Sequence, residues 1–148
     1  MLAVSLVLAM TTWFSASALI PLLREEWDLT GGAGAWLTIA VQLGFVAGAL
    51  VSSVTNLADV VSPRHVVVGG AAGAALANLL LLAADGPGLG IGLRFFTGFF
   101  LAGVYPPSLK LLSTWYRRGR GLALGILVGA LTLGSAVPHL INGLGGLD

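Results

Sequence analysis

The sequence predicts an all-α membrane protein. Three observations carry that reading: charge is scarce, apolar runs are long, and nearly all the charges fall between the runs. Hydrophobic residues make up 57% and charged residues 9% of the 148 positions, with a mean hydropathy of +0.97. A soluble domain is about 25% charged, so a water-facing globule does not fit. Lys and Arg number 7 and Asp and Glu 6. All but Arg94 sit in short gaps between the runs or at their ends.

A helix that crosses a bilayer needs ~20 mostly apolar residues. The first run, Met1–Leu23, stops before Arg24, Glu25, Glu26 and Asp28. Gly31–Ala58 is closed by Asp59, and Thr30 stands where its hydroxyl can cap the helix start. Val66–Ala84 ends at Asp85 and the turn-forming Gly86, Pro87 and Gly88. Leu89–Leu109 contains Arg94 and the pair Pro106 and Pro107, and Gly121–Leu147 is the fifth run. The expected helices are therefore 1–23, 31–56, 66–84, 89–111 and 121–142, five spans in all. The first run has a rival reading as a signal peptide, through the A-x-A site Ala16, Ser17 and Ala18. Its start, Met1, Leu2, Ala3 and Val4, lacks the basic residues such a leader carries.

Positive residues give the orientation. The second gap holds Asp59, Arg64 and His65, and the fourth holds Lys110, Arg117, Arg118 and Arg120 with no acid. Lys and Arg are retained on the cytoplasmic side. The N-terminus is then cytoplasmic, and Gly143–Asp148 lies outside. An odd span count is expected of an unfinished bundle.

Arg94 is the sharpest single signal. An Arg at the centre of a span costs ~2.5–3.5 kcal/mol on insertion scales. At about 100° per residue, Gly98, Leu101 and Tyr105 follow it along one face, flanked by Thr97 and Ser108. Two readings follow. Arg94 could snorkel to the outer interface, a few residues from Gly88, or it could face a bundle interior or wet cavity. The polar stripe is not needed for snorkelling and favours the second. No Asp or Glu lies well inside a run, so a buried Arg would look to a substrate carboxylate or inorganic anion. Thr12, Trp13, Ser15, Gln42 and Asn78 could line the same cavity, or could only hydrogen-bond across helices.

Small residues recur at every fourth position, as Ala40, Gly44, Gly48 and Ser52, as Gly69, Gly73 and Ala77, and as Gly121, Gly125 and Gly129. Such grooves let helix backbones approach closely, and Gly98 belongs with them. Other chemistries find no foothold. Cysteine is absent. The chain has no G-x-S-x-G, H-E-x-x-H or phosphate loop, and His139 beside Pro138 has no carboxylate near it in sequence. No basic patch with interleaved aromatics speaks for nucleic acid. Neither an enzyme nor a metal or cofactor is expected.

The arrangement resembles the major facilitator superfamily over essentially the whole chain, as the first five of its usual twelve helices. The family's loop signature runs Gly-x-Leu-Ala-Asp-Arg-x-Gly-Arg-Arg. Leu57, Ala58, Asp59 and Arg64 match it here, while both glycines and two basic positions are lost. The span-four signature Arg-x-x-Gln-Gly is kept as Arg94, Phe95, Phe96, Thr97 and Gly98, with Thr in place of Gln. The stretches Ala102–Pro107 and Trp115–Gly121 also fit. The resemblance implies that Asp59 and Arg64 belong to a cytoplasmic gate network and that Arg94 faces the central cavity. Span five departs from the antiporter pattern, because Gly129 is followed by Ala130 and the proline comes only at Pro138. That departure weighs against drug/proton antiport. The Arg that nitrate carriers have in span two is missing as well.

The expectation is a partial N-terminal six-helix bundle, residues 1–148, of a permease in the bacterial cytoplasmic membrane. It would act as symporter or uniporter by alternating access on a small solute, with an anion as the candidate. Its partners would be the lipid bilayer, that substrate and the missing C-terminal half, without which no transport is expected. The alternative is a small helical assembly or regulatory protein, which needs no Arg in a cavity.

Overall fold

A computed structural model describes residues 7–9, 11–14, 23, 25–29, 31–115 and 120–145. Its elements are α1 (Gly31–Val54), the single turn α2 (Leu57–Val60), α3 (Pro63–Leu80), α4 (Pro87–Leu101), α5 (Tyr105–Trp115) and α6 (Arg120–Gly145). A 3₁₀ turn, Leu81–Ala83, extends α3. Residues 7–9 and 11–14 are helical, and there is no strand among the described residues.

Three helical stretches are long and apolar enough to cross a membrane: Gly31–Val54, Pro63–Ala83 and Pro87–Leu111. They account for three of the five expected spans. Most of the first expected span, with Thr30 and the Ala16–Ala18 site, lies outside the described residues. α6, at 26 residues, has the length of a fifth.

The helices are built inside out. Their large apolar side chains point outward, among them Trp36, Leu43, Val46 and Leu50 of α1 and Leu76 and Leu79 of α3. The inward faces carry small residues. α1 buries Gly34, Leu37, Ala40, Val41, Gly44 and Gly48, and α4 buries Gly90, Arg94, Thr97, Gly98 and Leu101. Lipid tails are as apolar as Leu, so membrane helices associate by close backbone packing rather than by hiding Leu. The steps from 34 through 37, 41, 44 and 48 alternate three and four, the period of a coiled-coil seam.

α1 and α4 run parallel, Leu37 beside Gly90, Gly44 beside Phe95 and Gly48 beside Phe99. A Cβ on Gly44 would fall 1.8 Å from the Phe95 carbonyl oxygen, and one on Gly98 would fall 1.9 Å from that of Val41. α3 runs antiparallel to α4, with Gly70 at Phe100 and Gly103, and Leu81 grouped with Leu93. Of the expected small-residue stripe of α3, Gly73 and Ala77 pack inward, a Cβ on Gly73 falling 2.6 Å from the Phe100 ring, while Gly69 does not. Gly69 meets nothing within 4 Å, and Val66, Val67, Gly70, Ala74 and Ala77 make the buried face. Where two glycines adjoin, spacing cannot tell which one faces in.

Prolines account for two of the departures from the expected element boundaries. α3 begins at Pro63, three residues before the apolar run, because Pro needs no N–H partner in a first helical turn. The expected helix 89–111 is broken at Ala102–Val104. Pro106 and Pro107 have no N–H to return to the carbonyls of Ala102 and Gly103. The chain turns there through i−3 bonds, Gly103 N–H to Phe100 O at 2.9 Å and Val104 N–H to Leu101 O at 3.0 Å.

Candidate functional site

Arg94 projects from the buried face of α4, 1% exposed, toward the N-terminal segment. One terminal nitrogen, Nη1, donates to the Thr12 carbonyl at 3.1 Å and makes a long 3.5 Å contact with Oδ1 of Asn78 on α3. The other, Nη2, donates to the Trp13 carbonyl. Nε is buried without a hydrogen-bond partner. A hydrogen bond to a charged group contributes ~1.5–3 kcal/mol. Two such bonds therefore match or exceed the ~2.5–3.5 kcal/mol cost of placing Arg in a span. Arg94 does not snorkel; it joins the N-terminal segment, α3 and α4.

The rest of its stripe packs into helix contacts. Thr97 and Ser108 are fully buried, and each hydroxyl donates back to its own chain, Thr97 to Leu93 O at 2.9 Å and Ser108 to Val104 O at 2.6 Å. Tyr105 is half-buried against the cluster of Ala9, Val67, Ala74, Leu101 and Val104. The Trp13 ring packs edge-on to Phe45, with centroids 5.3 Å apart. Gln42 is on the exposed face of α1. Ser15 lies outside the described residues. The structure thus brings Thr12, Trp13 and Asn78 to Arg94.

Charges gather at one end of the bundle. Asp59 of α2 forms a salt bridge with Lys110 of α5. The pair closes one side of a 320 Å³ pocket lined also by Ser52, Ser53, Asn56 and Pro106. Asn56 takes a left-handed conformation, φ 48°, between α1 and α2, which Asn tolerates better than most residues. That turn sets Asp59 opposite Lys110. Arg64 lies near this end, exposed on the first turn of α3. Sequence reasoning used Lys110 for orientation and missed it as Asp59's partner. The available signal was the opposite charge of two gaps on the same side. At the other end, Trp27 of the first gap packs with Leu81 and Ala84, which end the third run next to the third gap.

The glycine set divides. Gly44, Gly48 and Gly98 form the α1–α4 seam, whereas a Cβ at Gly121, Gly125 or Gly129 would meet nothing within 4 Å. Gly129 instead lines an apolar groove of 710 Å³ with Val7, Leu8, Ile126 and Leu133. Among the described residues, no three His, Asp or Glu side chains gather where they could hold a metal.

Comparison with known proteins agrees with this architecture. The family model described as Major Facilitator Superfamily matches residues 2–144. A multidrug efflux pump of Mycolicibacterium smegmatis is 29% identical over 126 residues, 84% of this chain and 25% of that protein. A puromycin resistance protein of Streptomyces alboniger is 30% identical over 126 residues, 84% of this chain and 24% of that protein. The chain thus spans about a quarter of the length of these relatives. No solved structure matches it.

Proposed function

The chain belongs to the major facilitator superfamily, and from that premise we propose that it is the opening part of an efflux transporter for an organic solute. The family match over residues 2–144 carries this reading, and the name of one relative, the multidrug efflux pump, supplies the direction of transport. Such transporters bind substrate near the midplane between two halves and alternate by rocking one against the other. Five spans, with the N-terminus cytoplasmic, complete the reading. The described helices support it by alternating in direction: α4 is parallel to α1 and antiparallel to α3 and to the N-terminal segment.

The expectation of an anionic substrate loses its main support. It rested on a guanidinium in want of an anion, and both terminal nitrogens of Arg94 are engaged by protein oxygens. We assign Arg94 a positioning role and look for substrate contacts on the exposed face that carries Gln42. Asp59 and Lys110 form the cytoplasmic gate pair in this reading, bracing α2 against α5.

The test is efflux of puromycin and of a cationic dye from cells making the complete protein, with and without a proton ionophore. Export that the ionophore abolishes is expected, despite the displaced proline of α6. Unchanged accumulation of every organic probe, beside saturable uptake of a small anion, would overturn the reading. Residues 1–148 alone are expected to move no solute in proteoliposomes, since the 126 residues aligned are only 24–25% of the relatives' length.

A further inference from the structure

The hydroxyl and amide side chains of α1 are Thr38, Gln42, Ser52 and Ser53. With Asn56 just beyond the helix, they fall within roughly 100° of one another at about 100° per residue. Leu43 and Leu50 are exposed on another face. α1 therefore gathers its polar groups into one stripe, apart from its outward leucines.

The α2 end of the stripe opens into a pocket. Ser52, Ser53 and Asn56 line the 320 Å³ space beside Asp59 and Lys110, together with Ala102 and Pro106. That volume lies within the range of small-molecule sites, about 300–1,000 Å³. Elsewhere in the chain, hydroxyls return to a carbonyl three or four residues back, as those of Thr97, Ser108, Thr132 and Ser135 do. Ser52 and Ser53 make no such bond among the described residues. The Asn56 side chain does not cap the turn that its backbone starts. Pro106 withholds the N–H that the Ala102 carbonyl would receive in an unbroken helix. Groups able to hydrogen-bond, but not used by the helices, thus meet around one space. The two charges that line it, Asp59 and Lys110, are paired with each other.

We propose that this pocket is the first binding site for the exported solute, with Ser52, Ser53 and Asn56 holding an uncharged part of it that bears hydroxyl or amide groups. The occupant is named on the strength of the efflux reading, and the pocket's position behind the gate pair makes it the first stop from the cytoplasm. One turn beyond Ala49, which also lines the pocket, Phe45 packs edge-on against Trp13. Gln42 and Thr38 follow on the same face. A solute moving toward the midplane passes this aromatic pair and meets Gln42 next.

The experiment measures equilibrium binding to the complete protein in nanodiscs. The probes are puromycin, which carries hydroxyl and amide groups, and tetraphenylphosphonium, a cation with no hydrogen-bonding group. Ser52→Ala with Ser53→Ala should weaken puromycin binding roughly tenfold and leave the cation unaffected. Asn56→Gly keeps the left-handed turn, which Gly adopts freely, and should weaken puromycin binding about fivefold by removing the amide alone. Melting temperatures should not move. Unchanged puromycin binding in both variants would overturn the proposal and spare the efflux reading. So would failure to bind puromycin in a protein that exports the cation. An equal loss for both probes, or a loss that follows the melting temperature, would also overturn it, since these side chains would then serve the fold. Absence of binding and export for every organic probe would overturn both readings.

Discussion

A guanidinium in hydrocarbon must find acceptors, and what it finds defines its role. Arg94 finds two consecutive main-chain carbonyls, Thr12 and Trp13, and the amide oxygen of Asn78. Carbonyls do not change their charge, so this contact anchors and does not switch. Geometry makes the prediction specific. The planar fork of Arg reaches two neighbouring oxygens at once, while the single ammonium of Lys is a point charge on a flexible stem. Arg94→Lys in the complete protein should lose one charged hydrogen bond, about 1.5–3 kcal/mol, read as lower thermal stability in detergent. A substrate-binding Arg would behave differently. It would leave the melting temperature unmoved and raise KM, and that outcome would restore the anion reading.

At the scale of the element, the α1–α4 seam shows how much a sequence can tell. The fourfold spacing of Ala40, Gly44 and Gly48 was legible because a membrane helix marks its contact face with small residues. The partner was not legible, since nothing local says that Gly98 must meet Val41 across more than fifty positions. On α3 the face was legible at Gly73 and Ala77 but not at Gly69, since Gly69 and Gly70 are equally small. Arg94's acceptors lay out of reach too, because backbone carbonyls have no signature in sequence. The Asp59–Lys110 pair needed the fold to bring two gaps together. The seam itself yields a graded expectation. Gly44→Ala drives a methyl into the Phe95 backbone, and overpacking of this kind costs about 1–3 kcal/mol. Gly31→Ala, on a helix start where a Cβ meets nothing within 4 Å, should be close to neutral. Equal melting temperatures for the two variants would mean that α1 and α4 do not pack backbone to backbone.

For the whole molecule, the arrangement of ends is the property most open to a direct test. Contacts place the first and third gaps at one end, where Trp27 meets Leu81 and Ala84. They place the second and fourth at the other, where Asp59 meets Lys110. Packing alone does not say which end faces the cytoplasm; the distribution of Lys and Arg does. The first and third gaps carry Glu25, Glu26, Asp28 and Asp85 against a single Arg24, and the second and fourth carry every other gap cation. The chain has no cysteine, so single cysteines report accessibility without background from this segment. Asp85→Cys should react with a membrane-impermeant maleimide on intact cells, and Ser62→Cys only after permeabilisation. Ser62 and Asp85 flank one span, Pro63–Ala83, so the two must report opposite sides if that helix crosses the bilayer at all. Labelling of both from outside would remove the span, while the reverse pattern would keep the span and invert the protein. Only the expected pattern leaves the Asp59–Lys110 pocket facing the cytoplasm, where a gate of an outward-pumping transporter has to open for substrate to enter.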